Sequence, residues 1–462
     1  MTSIGIINGA LVTSSDISQA DILLEGEQIK AIGKDVAKGA SRIIDAAGKY
    51  IFPGAIDAHT HLDLPFMGTS SSDDFLTGTR AALFGGTTSI IDFAFQTQGK
   101  TLHEGLESWH KKAHGLALAD YGFHMVVTDF NDQTAQEIES LITREGITSF
   151  KTFMAYKNAL MINDRQMIGL MNEVKKYGAL VSVHAENGDL ADSLIQKHRT
   201  EGLLTPEFHA KSRPPIVEAE ATGRAIDLAY AGDHPIYIVH LTCESALNRV
   251  REACKRNQKI LVETCVQYLL LDDSLYTRPD FEGAKWVMSP PLRTQQDQQA
   301  LWSGLEQGLI QTVATDHCPF CLAQKELGKE DFSKIPNGAP GIEHRLELMF
   351  CEGVLKNRIS LNRMIEVCCT NPAKIFGLYP RKGTLAVGAD ADLVIFDPFE
   401  KHTISAGSHH MNCDYSAYEG WPVTGRVKTV ILRGNVVIEN AECLSQKGSG
   451  KFLARKTLGF NI

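Results

Sequence analysis

Between residues 50 and 317 short apolar runs alternate with longer amphipathic ones, and this alternation leaves the chain few possible folds. The short runs are YIFPGAIDAH, TTSIIDFAF, DYGFHMVVT, ITSFKTFMA, GALVSVHAE, PIYIVHLT, KILVETC and IQTVATDH, rich in β-branched and aromatic residues as strands are. Between them DFLTGTRAALFG, TAQEIESLITREG, DRQMIGLMNEVKKYG, IVEAEATGRAIDLAYAG and CESALNRVREACKRN have helical spacing, and several close on Gly or Asn as a C-cap does. Eight strands alternating with helices over about 300 residues is the count of a (β/α)8 barrel. A doubly wound open sheet is the structural alternative, but neither a G-x-G-x-x-G nor a P-loop signature supports it.

At 462 residues the chain exceeds what one hydrophobic core usually organises. Its ends read differently from its middle. IGIINGALVT, ADILLEGEQIKAIG and SRIIDAAGKYIF near the start, and KGTLAVGADADLVIFDP and RVKTVILRGNVVIEN near the end, are strands and turns without helices. We therefore expect a discontinuous β-sandwich from residues 1–53 and 382–445, a catalytic barrel over 54–381, and a C-terminal tail over 446–462.

The net charge of -9 carries no basic stretch suited to nucleic acid, and the apolar runs are far shorter than the ~18 residues of a membrane span. MTSIGIINGALV lacks the basic start, apolar region and cleavage site of a signal peptide, so a cytoplasmic location is expected. Ten scattered cysteines, with Cys368 and Cys369 adjacent, suit a reducing compartment rather than a disulfide framework. Cys318 and Cys321 form a C-x-x-C, but no second such pair completes a zinc site and no thioredoxin-like unit follows, so the spacing is read as coincidence.

A barrel carries its chemistry at the C-terminal ends of its strands. There the sequence places His59 and His61 in DAHTH, Lys151 in SFKTF, His184 in VSVHAEN, His240 in YIVHLT and Asp316 in VATDHCPF. Residues i and i+2 of a strand share a face, so His59 and His61 converge, and neutral imidazoles are good ligands for zinc-like ions. Lys151 is the anomaly, because a bare ammonium beside Phe150, Phe153 and Met154 is costly and would repel a metal. A lysine that has combined with carbon dioxide becomes a carbamate, an anion able to bridge two ions. The expected centre holds two divalent metal ions, with His59, His61 and Asp316 on one, His184 and His240 on the other, and carboxylated Lys151 between them.

The ordered set DAHTHLDLPFMGT, GITSFKTFMAYKN, VHAENGD, YIVHLTC, SPPLR, ATDHCPF, IPNGAPGIE, KGTLAVGADADLVIFDP and HHMNCDYSAYEGWPVTG closely resembles the dihydropyrimidinase and D-hydantoinase branch of the cyclic amidohydrolases, along essentially the whole chain. The resemblance implies zinc at His59, His61, Lys151, His184, His240 and Asp316, with Lys151 as N6-carboxylysine. It implies that Tyr156 stabilises the oxyanion, that the main chain at Ser289 and Asn337 holds the ureide of the substrate, and that Asp316 moves the proton from water to the leaving nitrogen. It further implies a homotetramer acting on a small-molecule cyclic ureide, opened to an N-carbamoyl amino acid. Leu64, Phe66, Phe153 and Leu160 fall in the stretches that close around the ring substituent in that family. Val266 departs from the pattern, standing in ETCVQY where the family usually has proline.

Non-catalytic relatives of this branch lack the ligands, and all six are present here. Dihydroorotases typically continue H-x-H with Leu-Arg, whereas Asp63 follows Leu62 and would repel an anionic substrate. An allantoinase-type activity remains the alternative on the metal site alone.

Overall fold

The structure, a computed structural model, describes residues 3–457; Met1, Thr2 and the last five positions of the expected tail, 458–462, lie outside the described residues. Eight parallel strands follow one another in chain order around the barrel: β1 (Ala55–Thr60), β2 (Thr87–Phe95), β3 (Asp120–Val126), β4 (Ser149–Phe153), β5 (Leu180–His184), β6 (Ile236–Ile238), β7 (Ile260–Cys265) and β8 (Thr312–Ala314). The strands are buried almost throughout, as a parallel sheet covered by helices must be, which is why they read as continuous apolar runs. The intervening helices start where polar side chains cap them. Asp74 accepts from the amides of Leu76 and Thr77, Asn131 from those of Gln133 and Thr134, and Asn163 from that of Gln166.

The barrel interior is filled, not hollow. Ile56, Ala58, Ile91, Tyr237 and Leu261 form one buried cluster with Phe376, Leu378 and Leu453. The segment leading to residue 457 is stitched beneath the barrel: Tyr121 N donates to Lys451 O at 3.0 Å and Leu453 N to Tyr121 O at 2.7 Å.

A second body of β-structure is built from both chain ends. Ser3–Ile7, Asp21–Glu25, Gln28–Gly33 and Arg42–Asp45 make a four-stranded sheet. Ala10–Val12, Ile17–Gln19 and Tyr50–Pro53 join Leu393–Thr403, Pro422–Leu432, Asn435–Glu439 and Glu442–Cys443 in a seven-stranded one. Ile6, Ile22 and Leu24 of the first sheet share a core with Leu11, Ile51, Leu393, Ile395 and Ile431 of the second. No helix among the described residues is long and apolar enough to cross a membrane.

Closure joins β1 to β8. A parallel bridge pairs Thr60 with His317, and His61 N donates to His317 O at 2.9 Å. Deeper in the seam Thr315 Oγ1 donates to Asp57 Oδ2 at 2.6 Å. Arg345, fully buried, spans the same seam: Nη1 donates to Ile56 O (2.9 Å) on β1 and Val313 O (2.8 Å) on β8, and Nη2 to Thr87 Oγ1 (3.1 Å) on β2. Arg345→Met would leave these three acceptors without a donor at about 1–3 kcal/mol each before relaxation. We expect denaturant unfolding of that variant to show a loss of about 2–4 kcal/mol, and an unchanged midpoint and slope would contradict the role given to Arg345.

Candidate active site

β1 does not run straight into its two histidines. Between Asp57 and Thr60 it carries one residue more than the facing stretch Ile90–Asp92 of β2, a β-bulge. Ile56 and Ala58 pack in the interior cluster with Ile91 and Leu261. The bulge turns the next residue, His59, to the same side, where its ring lies 4.6 Å from that of Phe93 and its Nδ1 lies 2.6 Å from Glu263 Oε1. His61 stacks on the other part of Phe93, with centroids 4.9 Å apart.

All six residues expected to bind metal line one cleft at the C-terminal end of the barrel, with about 500 Å³ of empty space. His59 Nε2 and His61 Nε2 each lie 3.1 Å from Asp316 Oδ1. His184 Nδ1 and His240 Nε2 are 2.9 Å apart. The two groups are not separate, since donor atoms of His59, His240 and Asp316 all fall within 4.8 Å of one another. Lys151, 1% exposed, lines the same cleft, with Nζ 5.2 Å from the Phe93 ring centre and 5.1 Å from that of Phe153. No carboxylate pairs with it among the described residues. Three site residues, Tyr156 (φ 62°), His240 (φ 36°) and Asp316 (φ 50°), hold left-handed backbone that non-glycine residues rarely adopt. Such strain persists where the surroundings over-determine a conformation, as at functional sites.

The donor set fits a cation. Glu263 binds the Nδ1 side of His59, and Glu186 Oε2 lies 2.8 Å from His184 Nε2, so each carboxylate takes a ring N–H. That leaves a lone pair on His59 Nε2 directed at the Asp316 carboxylate and one on His184 Nδ1 directed at His240. At His59 and Asp316 two acceptors then face each other and call for positive charge between them, a proton or a metal ion, whereas His240 Nε2 can donate to His184 Nδ1. The titration shifts say the same. Burial, the largest influence on His59, favours its neutral form, yet Glu263 and Asp316 outweigh it and raise the ring to about 9. Burial brings His61 down to about 4 and lowers His184 and His240 as well. Asp316 stays ionised: burial opposes its charge, but His59 and His61 hold it well below the usual carboxylate range. Burial also brings Lys151 down to about 7, against the pull of Glu263 and Asp316.

The remaining expected residues form the other walls of the cleft. Tyr156, Ser289 and Asn337 line it, with Asn337 Nδ2 3.1 Å from Ser289 Oγ and 3.5 Å from Tyr156 Oη. Burial pushes the Tyr156 phenol up, so it is a proton donor at neutral pH. Leu64, Phe66, Phe153 and Leu160 line the cleft too; Phe153 belongs to the end of β4 rather than to the loop after it. Phe95, Met288 and Cys318 complete the apolar surface without having been anticipated. Gly338 lies in left-handed backbone (φ 148°) against Cys318 O, where a Cβ would collide. Val266 is the first residue of the short helix Val266–Leu270. Proline's missing N–H is no loss at that position, so either residue suits it and no site geometry hangs on the exchange.

The supporting carboxylates were not read from the sequence. Glu263 stands in the apolar run KILVETC, and the reasoning that singled out Lys151 would have found it: a buried charge in a strand needs partners. Beyond His59 it accepts from Tyr237 Oη at 2.9 Å and His240 N at 3.1 Å. Lys325 is a second case, fully buried and donating to Val287 O (2.9 Å), Pro336 O (2.6 Å) and Gly338 O (2.7 Å). It ties the loop bearing Ser289 to the loop bearing Asn337.

Comparison with known proteins agrees with this geometry. The model of the amidohydrolase family matches residues 50–437. The chain is 47% identical to a D-hydantoinase of Geobacillus stearothermophilus over 98% of this chain and 97% of that protein. It is 42% identical to the dihydropyrimidinase of Rattus norvegicus over 98% of this chain and 88% of the other. The crystal structure of dihydropyrimidinase from Brevibacillus agri superposes with a TM-score of 0.98 at 50% identity, covering 98% of this chain and 99% of that one. The matched span holds the whole barrel and every residue of the histidine, lysine and aspartate cluster, and the chain belongs to the amidohydrolase family.

Proposed function

We propose that this protein hydrolyses the cyclic amide bond of dihydropyrimidines and 5-monosubstituted hydantoins, releasing N-carbamoyl amino acids. The observation that carries the reading is the meeting of His59, His61, Lys151, His184, His240 and Asp316 in one cleft that Tyr156, Ser289 and Asn337 also line. Amidohydrolases generally depend on a binuclear metal centre, and we assign these six residues to two zinc ions. Bound divalent ions make a water nucleophilic at neutral pH and polarise a carbonyl.

Lys151 is the bridge in this reading. Its depressed pKa keeps much of the amine neutral near pH 7, the form that adds to carbon dioxide. The nitrogen lone pair forms the C–N bond, one C=O π pair of carbon dioxide moves onto oxygen and one N–H proton leaves, so the neutral amine becomes an anion and no bare ammonium has to be buried. The walls of Phe93 and Phe153 exclude water from it.

The chain's other groups divide the work. Asp316, held ionised, takes a proton from the attacking water and returns it to the ring nitrogen as the amide C–N bond breaks. Tyr156 donates its O–H to the carbonyl oxygen as negative charge develops there. The main chain at Ser289 and Asn337 holds the ureide, and Lys325 keeps their two loops in register. Leu64, Phe66, Phe153 and Leu160 receive the ring substituent, each buried methylene contributing ~0.8 kcal/mol. We read the enzyme as a cytoplasmic homotetramer acting on small molecules. Resemblance supports the assembly, and ten free cysteines support a reducing compartment.

Three measurements test this. Lys151→Ala is expected to lose activity and metal content together, with partial recovery on adding short carboxylic acids; a variant retaining both metals and full turnover would remove the carbamate. Tyr156→Phe should keep its metals and KM while kcat falls by ~10²–10³, because the contact matters in the transition state. Wild-type kcat would place the oxyanion donor elsewhere. In a panel of substrates, dihydrouracil and 5-monosubstituted hydantoins should be opened and dihydroorotate scarcely at all, since among the described residues Lys151 is the only lysine or arginine lining the cleft. Faster turnover of dihydroorotate or allantoin than of every neutral 5-substituted ring would overturn the substrate assignment.

A further inference from the structure

The two cysteines of CPFC part company in the fold. Cys318 is buried and lines the catalytic cleft, whereas Cys321 points the other way, at the start of the short helix Leu322–Lys325. There it meets the segment running from the second β-structure body. Cys321 Sγ, Cys413 Sγ and a carboxylate oxygen of Asp414 all lie within 4.8 Å of one another. We propose that Cys321, Cys413 and Asp414 form a separate binding site for one thiophilic divalent ion, of the zinc and cadmium class.

The site is built rather than accidental. Cys413 is buried, Cys321 is half-buried and Asp414 is exposed, so the ligands form a shallow bowl open to solvent on the carboxylate side. Backbone contacts fix both walls. Leu322 N donates to Asp414 Oδ1 at 2.9 Å, and Asn412 N donates to Asp73 Oδ1 at 2.8 Å. Cys321 Sγ lies 3.7 Å from Asn412 O, and Cys413 Sγ lies 3.9 Å from Phe320 O, so each thiol leans on the other's strand of chain. Two sulfurs and one carboxylate oxygen leave the fourth corner of a tetrahedron for water, and zinc–sulfur bonds of about 2.3 Å need only a small inward movement of donors already this close. None of the three residues is among the six assigned to the catalytic centre.

The place matters because helix Leu322–Lys325 touches several walls of the cleft. Gln324 Nε2 donates to Thr69 Oγ1 and Ser70 O, both at 2.7 Å, in the hairpin that carries Phe66. Lys325 holds the Ser289 and Asn337 loops.

The test is a cadmium titration of the metal-loaded enzyme, kept reduced by a non-thiol reductant, followed by near-ultraviolet sulfur-to-metal charge-transfer absorption and by metal counting after gel filtration. One equivalent beyond the catalytic metals should bind, with a charge-transfer band. Cys321→Ser and Cys413→Ser should each lose the extra equivalent and most of the band, Asp414→Asn should weaken binding at least tenfold, and Cys254→Ser should change nothing. Cys321 and Asp414 reach solvent, so their variants decide the matter even if Cys413→Ser folds poorly. Absence of the band in the wild type, its persistence in Cys321→Ser, or its loss only in Cys318→Ser would overturn the assignment.

Discussion

The contact on which the site depends is the closure of β8 against β1. Asp316 and His59 stand more than 250 positions apart in the chain, and only the seam between the first and last strands brings them to 3.1 Å. The seam has little regular ladder: one bridge at Thr60 and His317, the Asp57–Thr315 pair, and Arg345 reaching across both strands. Polar side chains therefore do here what backbone pairing does elsewhere in the barrel. His317 then extends the seam outward, its Nε2 3.0 Å from Asp73 Oδ2, so the residue beside Asp316 is itself held in place.

From that closure the electrostatics follow. Five imidazole and carboxylate groups crowded together would ordinarily repel or neutralise one another, and two further carboxylates, Glu263 and Glu186, are buried among them without exposure. Their effect is directional. Each occupies one nitrogen of a histidine and turns the other nitrogen inward, so the cleft presents lone pairs and an ionised Asp316 to its centre. Such a centre suits a cation. Against burial, Glu263 and Asp316 raise His59 toward the protonated form, whereas burial lowers its neighbours His61 and His240.

Much of this was legible in the sequence because period and position report it directly. Each of the eight strand-like runs contains a barrel strand, since a parallel sheet buried on both faces leaves an unbroken apolar signature, and asking what polar residues end those runs singled out six residues that line one cleft. What escaped was whatever depends on register or on distant partners. The bulge in β1 has no local marker, so the turning of His59 beside Ala58 is visible only in the pairing with β2. β6 is three residues long where PIYIVHLT suggested eight, because the chain leaves the sheet before His240 and passes through left-handed backbone to reach the cleft. Glu263, Lys325 and the approach of Cys321 to Cys413 each join segments far apart in sequence, and spacing along the chain carries no trace of them.

The central claim is that Lys151 is carboxylated and joins two metal ions. The most direct measurement is carbon NMR of metal-loaded enzyme equilibrated with ¹³C-labelled bicarbonate. The account predicts one carbamate carbon per chain, present in the wild type, missing from Lys151→Ala, and lost when a chelator strips the metals. A fully metal-loaded, active wild-type enzyme with no labelled carbamate would contradict it.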